Sequence, residues 1–194
     1  MRYLIIPGYH NSGQKHWQSF WEKSLPGAVR VMQKNWEAPT LQEWLSALRA
    51  AIEHLQEPTV LIAHSLGVAL TVHYLTGPNV ARFVAGALLV SPSDVDSSDH
   101  TPPELRNFAP MPLKKLPVPA IVVASENDPY VSLERARFFA KHWEVPCVDV
   151  GKLGHINADS DLGEWPVGRD ILKQFEASLA EEQEMAPPAV PELF

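Results

Sequence analysis

The chain has 194 residues, 45% of them apolar, and 16 basic against 23 acidic residues leave a formal net charge of −7. That size suits one domain with a sizeable core, while an acidic balance without a Lys/Arg cluster excludes the usual nucleic-acid and anionic-membrane binders. No apolar run nears the ~18 residues of a membrane span, Leu4 to Pro7 is too short for a signal peptide, and the single cysteine, Cys147, excludes an internal disulfide and a multi-cysteine zinc site and makes a cytoplasmic location the default.

In chain order, Arg2–Pro7 is a short apolar run that reads as a strand. His16–Leu25 places Trp17, Phe20, Trp21 and Leu25 at helical spacing, and Ala28–Met32 reads as a strand. Thr40 starts a helix through Leu55, with Leu41, Trp44, Leu45, Leu48 and Ile52 on one stripe and Glu43 placed for a capping box. Thr59–Ala63 is a buried strand, Leu66–Leu75 a short helix and Ala85–Val90 another buried strand. Pro92 to Pro119 holds many of the 18 prolines and reads as a long functional loop. Pro119–Ala124 (strand), Leu133–Trp143 (helix), Pro146–Val150 (strand) and Val167–Ala180 (helix) complete residues 1–180, and 181–194 turn acidic, then Pro-rich, as a loosely held tail. Strands alternating with helices specify an α/β fold: a mainly parallel sheet of about six strands with helices on both faces and no room for a full cap domain. Chemistry in such sheets gathers beyond the carboxyl ends of the strands.

Three of those ends carry candidate catalytic residues. After Thr59–Ala63 comes His64-Ser65-Leu66-Gly67, a serine between strand and helix with glycine two places on. That is a nucleophile elbow, with Ala63 in place of the usual first glycine, and it lifts the Ser65 hydroxyl above the sheet. The N–H of Leu66, at the start of the helix, is a candidate oxyanion donor. After Pro119–Ala124 comes Asp128, and after Pro146–Val150 comes His155, with Gly151 and Gly154 before it. Ser, acid, His is the α/β-hydrolase order, and each member supplies what the previous one lacks: a base for a weak nucleophile and an orienting carboxylate for the base. Asp94 and Asp96 are backup positions for the acid. A second oxyanion donor belongs on the loop Pro7-Gly8-Tyr9-His10-Asn11-Ser12-Gly13. Tyr9 N–H is the choice because Gly8 frees the backbone before it, with His10 or Asn11 as substitutes.

Other signals are weaker. Gly8 to Gly13 has P-loop spacing, but Gln14 intervenes, Lys15 is a place late and His16 replaces the magnesium-binding hydroxyl. No Gly-x-Gly-x-x-Gly or His-Glu-x-x-His run appears, so no cofactor and no metal is expected. His64 packs beneath the elbow; His54, His73 and His142 are surface or boundary residues; Cys147 is a core residue; and Trp17, Trp21 and Trp44 are core rather than ligand-stacking groups.

Four segments resemble the small serine hydrolases of the retinoblastoma-binding protein 9 and YdeN-like family, over about Tyr3 to Phe175. They are Pro7-Gly8 with Gly13 and His16-Trp17; Asn35-Trp36-Glu37-Ala38-Pro39 followed by Trp44; the elbow; and Gly154-His155-Ile156-Asn157 followed by Gly163-Glu164-Trp165-Pro166. The resemblance implies a compact α/β-hydrolase fold and a Ser65–Asp128–His155 triad. It also implies cofactor-free hydrolysis of carboxylic esters, with amides as a further class. It carries no pocket-protein partner, because Cys147 lacks the flanking Leu and Glu of a Leu-x-Cys-x-Glu motif. The expected partner is a small ester or amide substrate with a small or short acyl group. The alternatives are a catalytically silent binding protein on a hydrolase scaffold and an acyltransferase using the same triad. Oligomeric state is not legible.

Overall fold

The structure, a computed structural model, describes residues 1–78, 80 and 82–185. Its elements are β1 (Arg2–Ile6), α1 (Trp17–Ser24), β2 (Ala28–Arg30), α2 (Leu41–Glu53), β3 (Thr59–His64), α3 (Leu66–Leu75), β4 (Val84–Val90), β5 (Ala120–Ala124), α4 (Leu133–Trp143), β6 (Cys147–Asp149) and α5 (Pro166–Met185). By contacts the chain divides into two units, Met1–Glu164 and a second that begins at Trp165 and contains α5. Among the described residues no helix is long and apolar enough to cross a membrane.

The first unit is built on a six-stranded sheet in the order β2-β1-β3-β4-β5-β6, every pair parallel. The chain steps from β1 outward to β2, then back past β1 to β3, and keeps that second direction to β6. Right-handed crossovers therefore put α1 on one face and α2, α3 and α4 on the other. Strand alternation follows. Leu4, Ile6, Leu61, Ala63, Ala87 and Leu89 share a buried cluster with Leu48, Leu70 and Phe139 of the three helices. Ile5, Ile62 and Leu88, of the opposite parity, are also fully buried, so both faces are covered, as continuous apolar runs such as Val60–Ala63 require. The crossover direction reverses between β1 and β3, and the loops leaving these two strands diverge there to open a crevice.

The edges differ from the sequence expectation. β2 stops at Arg30; the Val31 N–H still bonds Ile5 O (2.9 Å), but Met32 is 65% exposed. β6 begins after Pro146, which has no N–H to give. As an edge strand it leaves Cys147 half-buried rather than in the core. The Thr40 capping box is absent: the Thr40 hydroxyl donates to the Glu43 carboxylate (2.9 Å) instead of capping a backbone N–H. The Leu41 N–H is taken by Asn107 Oδ1 (2.7 Å), from the segment between β4 and β5. That segment carries one short 3-10 helix, Pro103–Phe108. The last helix runs past Ala180 to Met185, since Glu181 to Met185 are good helix formers; the rest of the expected tail, 186–194, lies outside the described residues.

Candidate active site

β3 ends at His64 and α3 begins at Leu66, so Ser65 alone must turn the chain from strand to helix. It does so at φ 56°, ψ −123°, a left-handed conformation that costs a non-glycine residue about 1–3 kcal/mol and persists only where its surroundings impose it. They do: the Ser65 N–H bonds Val90 O (3.0 Å) and its carbonyl accepts from Val68 N–H (2.9 Å). Two glycines let the elbow seat. A Cβ on Gly67 would lie 2.3 Å from Ile6 O, and one on Gly8 would lie 2.8 Å from Ser65 Cβ and 3.1 Å from Leu66 N. Gly8, the first glycine of the P-loop-like run, thus serves the elbow. Ala63 sits in the strand register between Ile6 and Leu89, outside the turn.

The histidine reaches this serine from the far side of the sheet. Gly151 (φ 76°) and Gly154 (φ 59°) turn the loop after β6 back. His155 Nε2 lies 2.8 Å from Ser65 Oγ, and His155 Nδ1 lies 2.8 and 2.9 Å from the two Asp128 oxygens. The Asp128 side chain is fully buried and that of His155 is 8% exposed. A buried carboxylate accepts, so Nδ1 carries the proton and Nε2 presents its lone pair to Ser65. Asp128 is also a turn residue, accepting from Tyr130 N–H (2.9 Å). Asp94 and Asp96, the backup acids, pair with Arg135, at 3.1 and 3.0 Å, and it is Asp128 that meets His155.

Of the groups around these three residues, Ser93, Ser125 and Asn127 were not singled out in the sequence. Asn127 Oδ1 accepts from Gly154 N–H (2.8 Å) and Ser125 Oγ accepts from Leu153 N–H (2.9 Å), which stitches the acid loop to the histidine loop. Trp17, in the core as expected, donates its indole N–H to Ile156 O (2.7 Å) and pins the same loop. Buried beneath the elbow, as expected, His64 also donates Nε2–H to His155 O (2.9 Å). His16 caps α1 through Nδ1 (3.1 Å from Gln18 N), its ring 4.7 Å from that of His64. Burial pushes His16 down to about 3, and burial likewise holds His64 well below the usual imidazole range, so both are neutral. Ser93 Oγ lies 3.0 Å from Ser65 Oγ. For Asn127 the available signal was its adjacency to Asp128; for Ser93 there was none.

On the β1 loop, the His10 N–H bonds Trp36 O (3.3 Å) and the Asn11 N–H bonds Gly8 O (3.1 Å). Both substitutes for the Tyr9 donor are therefore engaged. The Tyr9 hydroxyl donates to Glu104 (2.9 Å) and ties this loop to the 3-10 helix. Leu66, as the first residue of α3, has an N–H with no acceptor within the helix. A cavity of about 350 Å³ opens over Ser65, walled by Tyr9, Thr101, Pro102, Leu105, Tyr130 and Asn157 among others. The long loop between β4 and β5 supplies Thr101, Pro102 and Leu105.

The arrangement offers a hydroxyl with its proton directed to a fixed imidazole and a carboxylate behind it. A family model described as serine hydrolase matches residues 3–174. A YdeN-like hydrolase from Pectobacterium atrosepticum is 32% identical, with a TM-score of 0.81 over 92% of this chain and 91% of that one. The hydrolase YdeN of Bacillus subtilis (strain 168) is 25% identical over 88% of this chain and 94% of its own length. The crystal structure of the B. subtilis ydeN product is 24% identical, with a TM-score of 0.75 over 91% of this chain and 98% of that one.

Proposed function

Because the chain belongs to the YdeN-like family of serine hydrolases, we propose that it cleaves carboxylic esters of small or short acyl groups, with amides as a further class, through an acyl-enzyme on Ser65. The observation that carries this reading is the continuous chain from Ser65 Oγ to His155 Nε2 (2.8 Å) and from His155 Nδ1 to Asp128 (2.8 Å). As Ser65 Oγ attacks the acyl carbon, its proton passes to His155 Nε2 and the carbonyl pair moves onto the oxygen. Asp128 holds the imidazole tautomer and stabilises the imidazolium. The N–H groups of Leu66 and Tyr9 receive the oxyanion; one such donor is worth about 10²–10³ in rate. The intermediate collapses, the leaving group takes the proton from His155, and water repeats the sequence with His155 as base.

The size of the cavity, about 350 Å³, supports small acyl groups. Rapid-mixing kinetics on p-nitrophenyl esters from acetyl to decanoyl test both parts. The expected result is an acyl-enzyme burst with short esters and a steep fall in kcat/KM with chain length. Catalysis by Ser65→Ala at the wild-type rate, or a preference for decanoyl, contradicts it.

A further inference from the structure

The loop that leaves β4 brings a second hydroxyl to the elbow. Ser91, at φ 46°, breaks the strand while its N–H still bonds Val123 O (2.8 Å). Pro92 follows with its φ fixed, and the backbone then lies against the elbow, with Ser93 N 3.4 Å from Ser65 O. Ser93 O accepts from the Val95 N–H (3.0 Å). The residue is thus held by its own main chain, and its Oγ reaches 3.0 Å from Ser65 Oγ, within the range of an O–H···O bond.

The direction of that bond follows by elimination. His155 Nδ1–H is committed to Asp128, so Nε2 is an acceptor and the only proton of Ser65 is directed to it at 2.8 Å. Ser65 Oγ therefore faces Ser93 with a lone pair, and Ser93 is the donor. A donor aimed at the oxygen that loses its proton is worth more in the transition state than before it. Resting on the reading of Ser65 as nucleophile, we propose that Ser93 is a further catalytic residue whose hydroxyl stabilises the charge on Ser65 Oγ.

When the Ser65 O–H bond breaks, the proton goes to His155 Nε2 and the Oγ–C bond forms. Ser93 keeps its own proton and its bond to Oγ shortens as charge builds there. When the acyl-enzyme breaks down, the C–Oγ bond breaks, its electron pair returns to Oγ, and the proton comes back from His155. Ser93 steadies that same oxygen in its second charged moment. Acylation and deacylation are both served; Ser93 lines the cavity, but its hydroxyl proton is directed to Ser65 Oγ, so ground-state binding should be insensitive to it.

The test compares wild type, Ser93→Ala, Ser93→Thr and Ser65→Ala in the rate of labelling by a fluorophosphonate probe and in kcat and KM on p-nitrophenyl acetate. Melting temperatures are read in parallel. Ser93→Ala should label and turn over roughly ten- to hundredfold more slowly, the span for a hydrogen bond to a charged group, with KM and Tm unchanged. Ser93→Thr, which keeps the hydroxyl, should recover most of the rate. Ser93→Ala at the wild-type rate overturns the proposal, and so does equal slowing of both variants, which would mark the shape of the loop rather than its hydroxyl. Absence of wild-type labelling removes the Ser65 reading itself, and this role for Ser93 with it.

Discussion

At Gly67 a local preference and a tertiary contact conflict, and the tertiary contact wins. Alanine outranks glycine inside a helix by about 1 kcal/mol, so an exposed helix would gain from the exchange. Here the added Cβ would meet Ile6 O at 2.3 Å and Pro7 O at 2.7 Å, and neither is the end of a flexible side chain. Overpacking against rigid surroundings costs about 1–3 kcal/mol, and relief would move the elbow off the end of β1. Gly67→Ala should therefore lower Tm in thermal unfolding and slow turnover together; a stabilised, fully active variant would contradict the seating described. The roles assigned to Ser65 and Gly67 could be read from the sequence because strand–Ser–x–Gly–helix is a local pattern. Ser93 could not, since its place depends on how the end of β4 lies over the end of β3.

Between elements, the loops after β5 and β6 act as a pair. Asn127 bonds Gly154 N–H and Ser125 bonds Leu153 N–H, just ahead in both loops of the contact between Asp128 and His155. Asn127→Ala removes one stitch and loosens the imidazole loop. It should lower kcat about tenfold with KM nearly constant, for a stability loss of about 1 kcal/mol; unchanged kcat in steady-state assays would show that the stitch does not position His155. Element type and order were legible from the period of the apolar residues. Their ends were less so, for physical reasons. The N-terminus of α2 is satisfied by Asn107, distant in sequence, rather than by Thr40 and Glu43. β2 and β6 are edge strands, so apolar residues there, Val29 and Cys147, are not forced inside.

Over the whole molecule, the crossover order β2-β1-β3 opens a crevice between β1 and β3, and burying the connection beneath it has a cost that depends on pH. His16 and His64 are both held below the usual imidazole range by burial. Above about pH 6.5 neither the folded nor the unfolded chain protonates these two groups, and their contribution is complete. As pH falls below that, the unfolded chain takes up protons that the folded chain refuses, and stability is lost. The loss is up to about 1.4 kcal/mol per pH unit for each imidazole. Urea unfolding should therefore give a steadily lower free energy from pH 6.5 to 5, before most carboxylates titrate. A flat profile across that window would mean these two histidines are not buried neutral. The parallel sheet and its two covered faces were legible from the alternation of strands and helices, and the continuous apolar runs agreed with them. The cluster of His16, His64 and His155 was not, because a helix cap, a strand end and a loop, distant in sequence, meet to make it.

The most direct test of the Ser65 reading is to treat the protein with a fluorophosphonate probe and map the adduct by peptide mass, with Ser65→Ala in parallel. A single adduct on Ser65, lost in the variant, is expected. A folded wild-type protein that takes no label, or takes it at Ser93 or elsewhere, would contradict that reading.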